Sequence, residues 1–322
     1  MKKRLVFLCV VMTAMALCLG GSTAFAKMYK FSGGPSGGTF QYYASAITSL
    51  TKDSLKGSGI KVLASSSGGS IENIRLINAN RAQMAVAYSG HVFQARNGKL
   101  KNDDRKYENV LAMCYFYGAP AQLVVRADSD IKKTTDLQGK RVGVGNAGSG
   151  AAANCELFFT ELGIWENVDR RFQGYRAAAD AFKNKQLDAF WVFVGYPNAS
   201  VIEAALQTDI RLIDVYKDAE EIGMFKKYPY FSKVVIPAGT YKGVDEPTNT
   251  FQDSSLWVAS PSLTEEDAYK LLSTVFSDEG LKFMVETHKS AKAMSIENGI
   301  KGIITPLHPG AEKFWREKGV LK

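Results

Sequence analysis

Three short stretches rich in glycine and serine are the residues in this sequence best suited to binding. They are residues 32–39 (Ser-Gly-Gly-Pro-Ser-Gly-Gly-Thr), 65–70 (Ser-Ser-Ser-Gly-Gly-Ser) and 143–150 (Gly-Val-Gly-Asn-Ala-Gly-Ser-Gly). Each lies between an extended and a helical segment, so that bare backbone N–H groups and the positive end of a helix face whatever lies in front. Such loops bind anions. Three of them in one chain predict that a small acidic molecule is held between them.

The first loop also permits an enzymatic interpretation. Gly34-Pro35-Ser36-Gly37-Gly38 matches the pattern G-x-S-x-G, in which the serine is the nucleophile of an α/β hydrolase. That mechanism needs an acid and then a histidine later in the chain, and neither His288 nor His308 has a local signature. An exported serine hydrolase that uses Ser36 is kept as the alternative to a binding protein that is not an enzyme.

Cofactor and metal sites have weaker support. Gly143, Gly145 and Gly148 form a literal G-x-G-x-x-G, but Glu161 and Glu166, at about the right distance, fall at the end of a helix and in a turn. The three histidines are isolated from one another, and no cysteine or carboxylate cluster has ligand spacing. We therefore expect no cofactor, no metal and no catalytic residues.

Several side chains could line a cleft between these loops. The aromatic candidates are Tyr88, Tyr115, Tyr117, Trp191, Phe193 and Tyr196, for each of which packing in the core is the other interpretation. Arg176, ahead of a helix, is either a clamp for a carboxylate or a surface residue.

The elements that position these residues repeat as strand, loop and helix, which predicts α/β layers. Strands are predicted at 60–64, 84–88, 122–126, 141–145, 189–194, 233–236 and 256–259. Helices are predicted near 151–162, 177–186, 198–207, 264–276 and 279–288, after Pro309, and after Ser70, which we expect to be an N-cap. Residues 122–129 and 255–262 have similar patterns, each an apolar strand followed by a polar turn. Two strands that cross between a pair of lobes would have this pattern. We expect one lobe at 27–123 plus 256–322 and the other at 124–255.

The start of the chain indicates export. Lys2-Lys3-Arg4, an apolar run over residues 5–19 and Ala24-Phe25-Ala26 have the order of a signal peptide over residues 1–26, cleaved near Ala26. The run is too short to span a bilayer, and we expect a soluble periplasmic protein. Cys114 and Cys155 then remain, and we interpret them as buried free thiols, although the sequence leaves a disulfide open.

The charge of the chain limits its partners. The formal charge is +8, and the leader carries three positive and no negative charges, so the mature chain keeps +5. This excess suits an acidic solute, but the basic residues are scattered among acids, so we expect no nucleic-acid partner. We expect a monomer.

Several motifs in a fixed order resemble one family. They are residues 33–39, 67–76 (Ser-Gly-Gly-Ser-Ile-Glu-Asn-Ile-Arg-Leu), 141–150, 178–189, 236–243 and 308–312 (His-Pro-Gly-Ala-Glu). Together they resemble the TAXI-type solute-binding proteins of tripartite ATP-independent periplasmic (TRAP) transporters. The resemblance implies an α/β, type II-like Venus flytrap fold with two crossover strands. It also implies that a glutamate-like amino acid or an organic acid is delivered to ion-driven TRAP permease subunits.

The resemblance also implies a binding site. Its residues come from the three loops, from two positions on a floor and from the walls: Ser36, Gly37, Gly38, Thr39, Ser67, Gly69, Ser70, Tyr88, Ser89, Tyr117, Asn146, Gly148, Ser149, Trp191 and Tyr196.

The sequence departs from the family pattern at positions that would decide the ligand. Tyr88 and Gly90 stand where family members often carry Gln and Asp. Ala119 stands where an acidic residue often follows the Tyr117 motif, and Ala151 stands where a hydroxyl residue often follows the third loop. The two missing acids would be partners for an ammonium group. We therefore expect an acid that is not an amino acid, with glutamate as the alternative.

Overall fold

The computed structural model describes residues 27–322, and the predicted leader lies outside the described residues. The strands are β1 (Lys27–Ser32), β2 (Ile60–Ser65), β3 (Met84–Tyr88), β4 (Leu111–Arg126), β5 (Arg141–Gly143), β6 (Asp169–Arg171), β7 (Ala189–Phe193), β8 (Ile210–Leu212), β9 (Ser232–Ile236) and β10 (Thr248–Ala259). The helices are α1 (Thr39–Ser54), α2 (Ser70–Asn78), α3 (Ser89–Arg96), α4 (Gly150–Glu161), α5 (Tyr175–Lys183), α6 (Ala199–Gln207), α7 (Val215–Glu221), α8 (Met224–Lys227), α9 (Glu265–Val275), α10 (Asp278–Thr287) and α11 (Pro309–Glu317).

The strands form one curled sheet in the order β2-β1-β3-β10-β4-β7-β5-β6, with β8 beside β4 and β9 beside β10. β1, β2 and β3 run parallel to one another, and so do β5, β6 and β7. We call β1–β3 with their helices α1–α3 the first half, and β5–β8 with α4–α6 the second half.

Two long strands connect the halves. β4 pairs with β10 through residues 111–120, and then with β7 and β8 through residues 121–126. β10 pairs with β9 at residues 248–252 and with β3 at residues 255–259. The predicted α/β layers with two crossover strands are confirmed, whereas the limits of the two lobes stay a prediction.

Apolar residues cover both faces of the sheet, as parallel strands require. Every residue of β3 (Met-Ala-Val-Ala-Tyr) and of β7 (Ala-Phe-Trp-Val-Phe) is buried. The largest core follows one face through both halves, and there Trp257 stacks between Phe31 and Phe116 with ring centroids 5.5 and 5.9 Å away. Smaller cores fill the opposite face under α2 and α3 and under α5 and α6. Parallel strands sandwiched in this way end at one edge, and the loops of interest lie there.

Two further features concern the cysteines and the length of the helices. Cys114 and Cys155 are both buried and unpaired. Within residues 27–322, no helix has the length and apolar character needed to cross a bilayer.

Candidate functional site

A cavity of about 470 Å³ lies between the two halves, where the carboxyl ends of β1, β2, β3, β5 and β7 meet. In open α/β sheets, ligands bind at this edge. The first half contributes Pro35, Ser36, Gly37, Gly38, Thr39, Phe40, Tyr42, Gly68, Gly69, Ser70 and Tyr88. The second half contributes Asn146, Ser149, Gly150, Ala151, Gly174, Tyr175, Arg176, Ala177, Val194, Ala199, Ser200 and Glu203. Helices α1, α2, α4, α5 and α6 all begin among these residues.

The first helix to begin at the cavity has no side-chain cap. Gly38 is the N-cap of α1, and no side chain accepts a hydrogen bond from the first turn. The N–H of Gly38 donates to the carbonyl of Pro35 at 2.9 Å, but the N–H groups of Thr39 and Phe40 find no acceptor in the described residues. Unsatisfied N–H groups at the positive end of a helix are donors for an anion.

The second loop satisfies part of its own backbone. The N–H of Gly68 donates to Glu72 at 2.7 Å, and that of Gly69 donates to the Ser67 hydroxyl at 3.1 Å. Gly69 has φ 107°, a left-handed conformation that glycine adopts at little cost. The prediction that Ser70 is an N-cap is wrong, because Gly69 holds that position and Ser70 is the first helical residue. The Ser70 hydroxyl instead accepts from the N–H of Tyr88 at 2.9 Å.

A buried amide holds these loops in place. The Nδ2 of Asn73, on α2, donates to the carbonyl of Gly33 at 2.6 Å and to that of Val86 at 2.8 Å. One side chain therefore ties α2 to the end of β1 and to β3. Asn73 lies in a motif noted above but was not predicted to have this role.

The helices of the second half begin differently. The Ser149 hydroxyl accepts from the N–H of Ala152 at 3.1 Å and caps α4. Asn198 caps α6 by accepting from Ser200 at 3.0 Å and Val201 at 3.3 Å. Only α5, which begins after Gly174, lacks a side-chain cap in this half.

Charged side chains line the second half alone. Arg176 follows the start of α5 and is exposed to the cavity. Its neighbour Asp180 is engaged by Lys183 at 2.8 Å, which leaves the guanidinium without an ion-pair partner in the described chain. Glu203 is the one acid among the lining residues, and it pairs with the same Lys183 at 2.9 Å.

The halves touch beside the cavity. A Cβ on Gly150 of α4 would lie 2.8 Å from His91 Cε1 and 2.8 Å from Ser70 Cβ, so glycine allows this close approach. His91 Nδ1 lies 3.1 Å from the Ser70 hydroxyl oxygen. Burial lowers the pKa of His91 to about 4, and the nearby Asn154 opposes this effect only in part.

The floor of the cavity joins the halves as well. The Tyr88 hydroxyl donates to the carbonyl of Phe193 at 2.5 Å, and the Tyr175 hydroxyl donates to the same oxygen at 3.0 Å. The ring of Phe40 lies 4.9 Å from that of Tyr88, between centroids. Burial raises the pKa of the Tyr88 hydroxyl well above its usual value, so this hydroxyl stays protonated and the side chain is neutral.

The structure brings nine of the fifteen predicted site residues to the cavity. They are Ser36, Gly37, Gly38, Thr39, Gly69, Ser70, Tyr88, Asn146 and Ser149. The other six lie elsewhere, for reasons that differ.

Two of these six use their hydroxyls in hydrogen bonds to the backbone, and a third lines a different groove. The Ser67 hydroxyl donates to the carbonyl of Gly33 at 3.2 Å, and that of Ser89 donates to Gly302 at 2.6 Å. Gly148 lines a separate groove of about 560 Å³ on the other side of the Gly150 contact.

The other three are aromatic residues that pack beneath the loops. Trp191 is fully buried because β7 lies inside the sheet, and its ring stacks on Phe193 with centroids 6.0 Å apart. Tyr117 is 1% exposed and packs on Tyr43. Tyr196 packs on the core under α5 and α6. Tyr115 and Phe193, weighed as wall candidates, are likewise buried.

The departures from the family pattern have structural counterparts. A Cβ on Gly90 would lie 2.4 Å from the Tyr230 ring and 2.8 Å from Asp253 Oδ2, so no acid fits there. Asp253 itself accepts from the N–H groups of Gly90 at 3.0 Å and Ser254 at 2.7 Å, and burial raises its pKa to about 8. Ala119 is buried in β4, whereas Ala151 lines the cavity.

Residues that sequence reasoning missed come mainly from helix starts in the second half and from α1. Tyr42, Tyr175, Ser200 and Glu203 line the cavity without a glycine motif around them. The general rule that α/β loops at the carboxyl edge face a ligand would have included Tyr175 and Ser200.

A comparison with protein families decides the relationship. The model of the NMT1-like family matches residues 31–319. The chain belongs to the NMT1-like family. The match takes in both crossover strands and nearly all of both halves.

Solved structures with the same fold have little sequence similarity to this NMT1-like protein. MatC from Rhodopseudomonas palustris with bound malate has 14% identity, covers 82% of this chain and 88% of its own, and superposes with a TM-score of 0.54. A putative L-cystine ABC transporter protein from Listeria monocytogenes has 14% identity, coverage of 83% and 97%, and a TM-score of 0.51. The predicted two-lobed periplasmic-binding-protein fold is confirmed.

Proposed function

We propose that this protein is an extracytoplasmic solute-binding protein that captures a small carboxylate between its two halves. The observation that carries the proposal is the convergence of five helix N-termini on one cavity, three of them without a side-chain cap. A charge-assisted hydrogen bond contributes about 1.5–3 kcal/mol, so a few such bonds supply the roughly 8 kcal/mol of micromolar binding before ordering costs.

Closure is the mechanism we propose. A ligand that contacts α1 and α2 on one side and α5 on the other stabilises the arrangement in which both halves touch it. The contact of Gly150 with His91 and Ser70 belongs to that closed arrangement. β4 and β10 are the connections about which the halves would move, and the lobe limits 27–123 plus 256–322 and 124–255 are part of the proposal.

The class of carboxylate depends on one side chain. Glu203 is the only lining acid that could receive an ammonium group, although Lys183 already occupies it. Glu203→Gln therefore separates the two ligand classes: an amino acid such as glutamate would lose affinity, whereas an organic acid would bind at least as well.

The transport partner follows from the resemblance to TAXI-type proteins. We propose that the protein is exported, is cleaved near Ala26, acts as a monomer and delivers its ligand to TRAP permease subunits. Uptake into proteoliposomes that hold the permease should then need an ion gradient and this protein, but no ATP. ATP-driven uptake would assign an ABC-type partner instead. Normal uptake without the protein, but altered gene expression, would indicate a sensor.

The hydrolase alternative gains no support from the site. Ser36 makes no hydrogen bond to a histidine in residues 27–322. Two other serines contact a histidine: Ser290 lies 2.8 Å from His288 Nδ1, and Ser70 lies 3.1 Å from His91 Nδ1. Burial lowers the pKa of both imidazoles, that of His91 to about 4, which makes them weak bases at neutral pH. Ser36→Ala should lower affinity by about 1–2 kcal/mol, whereas a hydrolase would lose all turnover.

A thermal-shift screen of residues 27–322 tests the proposal as a whole. The protein is unfolded and refolded first to remove any ligand carried from expression, and is then screened against amino acids and C3–C9 carboxylates. An acid present at 100 times its Kd should stabilise the fold by about 2.7 kcal/mol. A correctly folded protein that no acid stabilises would contradict the proposal.

A further inference from the structure

The floor of the cavity presents carbon rather than hydrogen-bonding groups. The hydroxyls of Tyr88 and Tyr175 both donate to the carbonyl of Phe193, so neither is free to donate to a ligand. The two rings, with Phe40 beside Tyr88, line the cavity. This surface favours an apolar group above it.

Two serine hydroxyls of the cavity are also committed. That of Ser70 accepts from the Tyr88 N–H, and that of Ser149 caps α4. The N–H groups at the starts of α1, α2 and α5 remain, with the Arg176 guanidinium and the polar side chains of Ser36, Thr39, Asn146 and Ser200. The backbone N–H groups and the guanidinium are donors, and charge-assisted bonds from such donors match an anionic group.

The cavity has no ready partner for a second charge of the ligand. An ammonium group would meet a Glu203 carboxylate whose charge is already partly matched by Lys183 at 2.9 Å. Arg176 is the only cation among the lining residues, so a second carboxylate would have no side-chain cation of its own. A second carboxylate would rely on helix N-termini alone, and an ammonium group would share Glu203 with Lys183, so either second charge would be less well compensated for its lost hydration than the first.

The size of the cavity points the same way. Its volume of about 470 Å³ falls in the range of roughly 300–1,000 Å³ typical of pockets for drug-sized ligands. At about 30 Å³ of liquid volume each, some fifteen water molecules would fill it. A four-carbon acid would leave much of the apolar floor in contact with water.

We infer that the ligand is a monocarboxylate with an aromatic or similarly bulky apolar body. Its carboxylate lies at the start of α1 and near Arg176, and its apolar body covers the floor formed by Phe40, Tyr88 and Tyr175. This inference rests on the proposed function and narrows it.

Calorimetric titration of refolded residues 27–322 tests the inference with compounds that differ by one feature. Phenylacetate has the ring and the single carboxylate, L-phenylalanine adds an ammonium group, succinate replaces the ring by a second carboxylate, and benzyl alcohol lacks the charge. We expect phenylacetate to bind and each of the others to bind at least about tenfold more weakly, since each loses a partner or gains an unpaired group.

Two variants test whether the aromatic ring of phenylacetate lies in this cavity. Tyr42 is 41% exposed at its rim, so Tyr42→Ala should leave the unfolding temperature unchanged and weaken phenylacetate several-fold. Phe172→Ala, at a position 51% exposed outside the cavity, is the matched control and should bind phenylacetate like the wild type.

The outcomes separate the inference from the proposed function. Succinate or glutamate binding more tightly than phenylacetate would overturn the inference and support the solute-binding function. Equal effects of Tyr42→Ala and Phe172→Ala would overturn the placement of the ring. Absence of binding by every acid, with the protein folded, would overturn both.

Discussion

The two halves form opposite walls of the cavity, and these walls differ in the groups that they present to it. In the first half, α1 and α2 begin on Gly38 and Gly69 with no side-chain cap, and no charged side chain lines the cavity. In the second half, α4 and α6 are capped by the chain's own Ser149 and Asn198. There α5 alone is uncapped, and the charged side chains of Arg176 and Glu203 line the cavity.

The difference shows what each wall is built to do. A helix that caps itself gains stability and has fewer N–H groups to offer, whereas an uncapped helix gives up that stability and keeps its donors for a ligand. In the proposed function, the first half would therefore receive an anion through its backbone. The second half would add Arg176, the one cation among the lining residues.

The largest expected effect comes from capping the uncapped wall. Gly38 has φ −83° and ψ 149°, which suit an N-cap, so Gly38→Asp should cap α1. Its Cβ would lie 3.1 Å from the Pro35 carbonyl oxygen, so we expect little net change in stability. Its carboxylate would then repel the ligand where the ligand's own carboxylate should bind, at a cost of several kcal/mol. Titration should show binding lost.

Gly38→Asn is the matched control for that variant. It has the same shape and capping ability without the charge, and should weaken binding much less. Equal binding by wild type and Gly38→Asp would show that the first wall does not hold the anion.

The free energy of unfolding should depend on pH through His91, which lies at the contact between the walls. Its pKa is about 4 in the folded protein and 6.5 in an exposed histidine, so the unfolded chain takes up a proton that the folded chain does not. The contribution to stability is present above pH 6.5 and is lost as the pH falls toward 4, by up to about 3 kcal/mol.

Urea unfolding of wild type and His91→Gln between pH 4 and 8 measures this contribution as the difference between the two curves. The comparison removes the opposite effect of Asp253, whose raised pKa of about 8 makes its contribution fade as the pH rises. Parallel curves for the two proteins would contradict the assignment to His91.

Closure itself should fail when the gap between the walls is filled. Gly150→Ala places a methyl group 2.8 Å from both His91 and Ser70, and overpacking of this kind costs about 1–3 kcal/mol. If the cost falls on the closed form alone, affinity drops about 5- to 150-fold at nearly unchanged ligand-free stability. Ala147→Val, at an exposed position of the same loop, should bind normally.

Arg176 should contribute less to the affinity for the ligand. Arg176→Gln removes the only lining cation, and we expect about a tenfold loss of affinity together with a weaker dependence on salt, since the side chain is exposed and partly screened. Isothermal titration at 20 and 200 mM salt measures both effects. An unchanged Kd at both concentrations would place Arg176 outside the binding site.

The smallest effect sharpens the contrast between capped and uncapped helices. Ser149→Ala removes the cap of α4 and should lower the free energy of unfolding by about 1 kcal/mol. Ser36→Ala, on the uncapped wall, should leave unfolding unchanged and lower affinity instead. The two variants are measured by denaturant unfolding and by titration, and a reversal of their effects would contradict the comparison.

The sequence predicts the loop before α1 because its chemistry is local. The run Gly37-Gly38-Thr39 identifies a loop and a helix start together, and both lie within one short segment. Ser149 is predicted from the third loop as a binding residue, and the structure adds that it caps α4.

The sequence predicts Asn146 and Ser149 of the second wall from the third glycine loop, but the rest of this wall depends on tertiary approach. Arg176 and Glu203 face the cavity only because α5 and α6 begin at the same edge of the sheet. Trp191 shows the converse, since its strand lies inside the sheet with both faces covered, and an aromatic residue before a turn therefore packs in the core.

The most direct test of the central claim is a map of the ligand on the backbone. Amide resonances of isotopically labelled residues 27–322 are followed while the acid with the largest thermal shift is added. The account predicts the largest changes at the amides of Thr39 and Phe40, with further changes at Ser70 and Arg176. Changes confined to the groove around Gly148, with Thr39 and Phe40 unaffected, would contradict it.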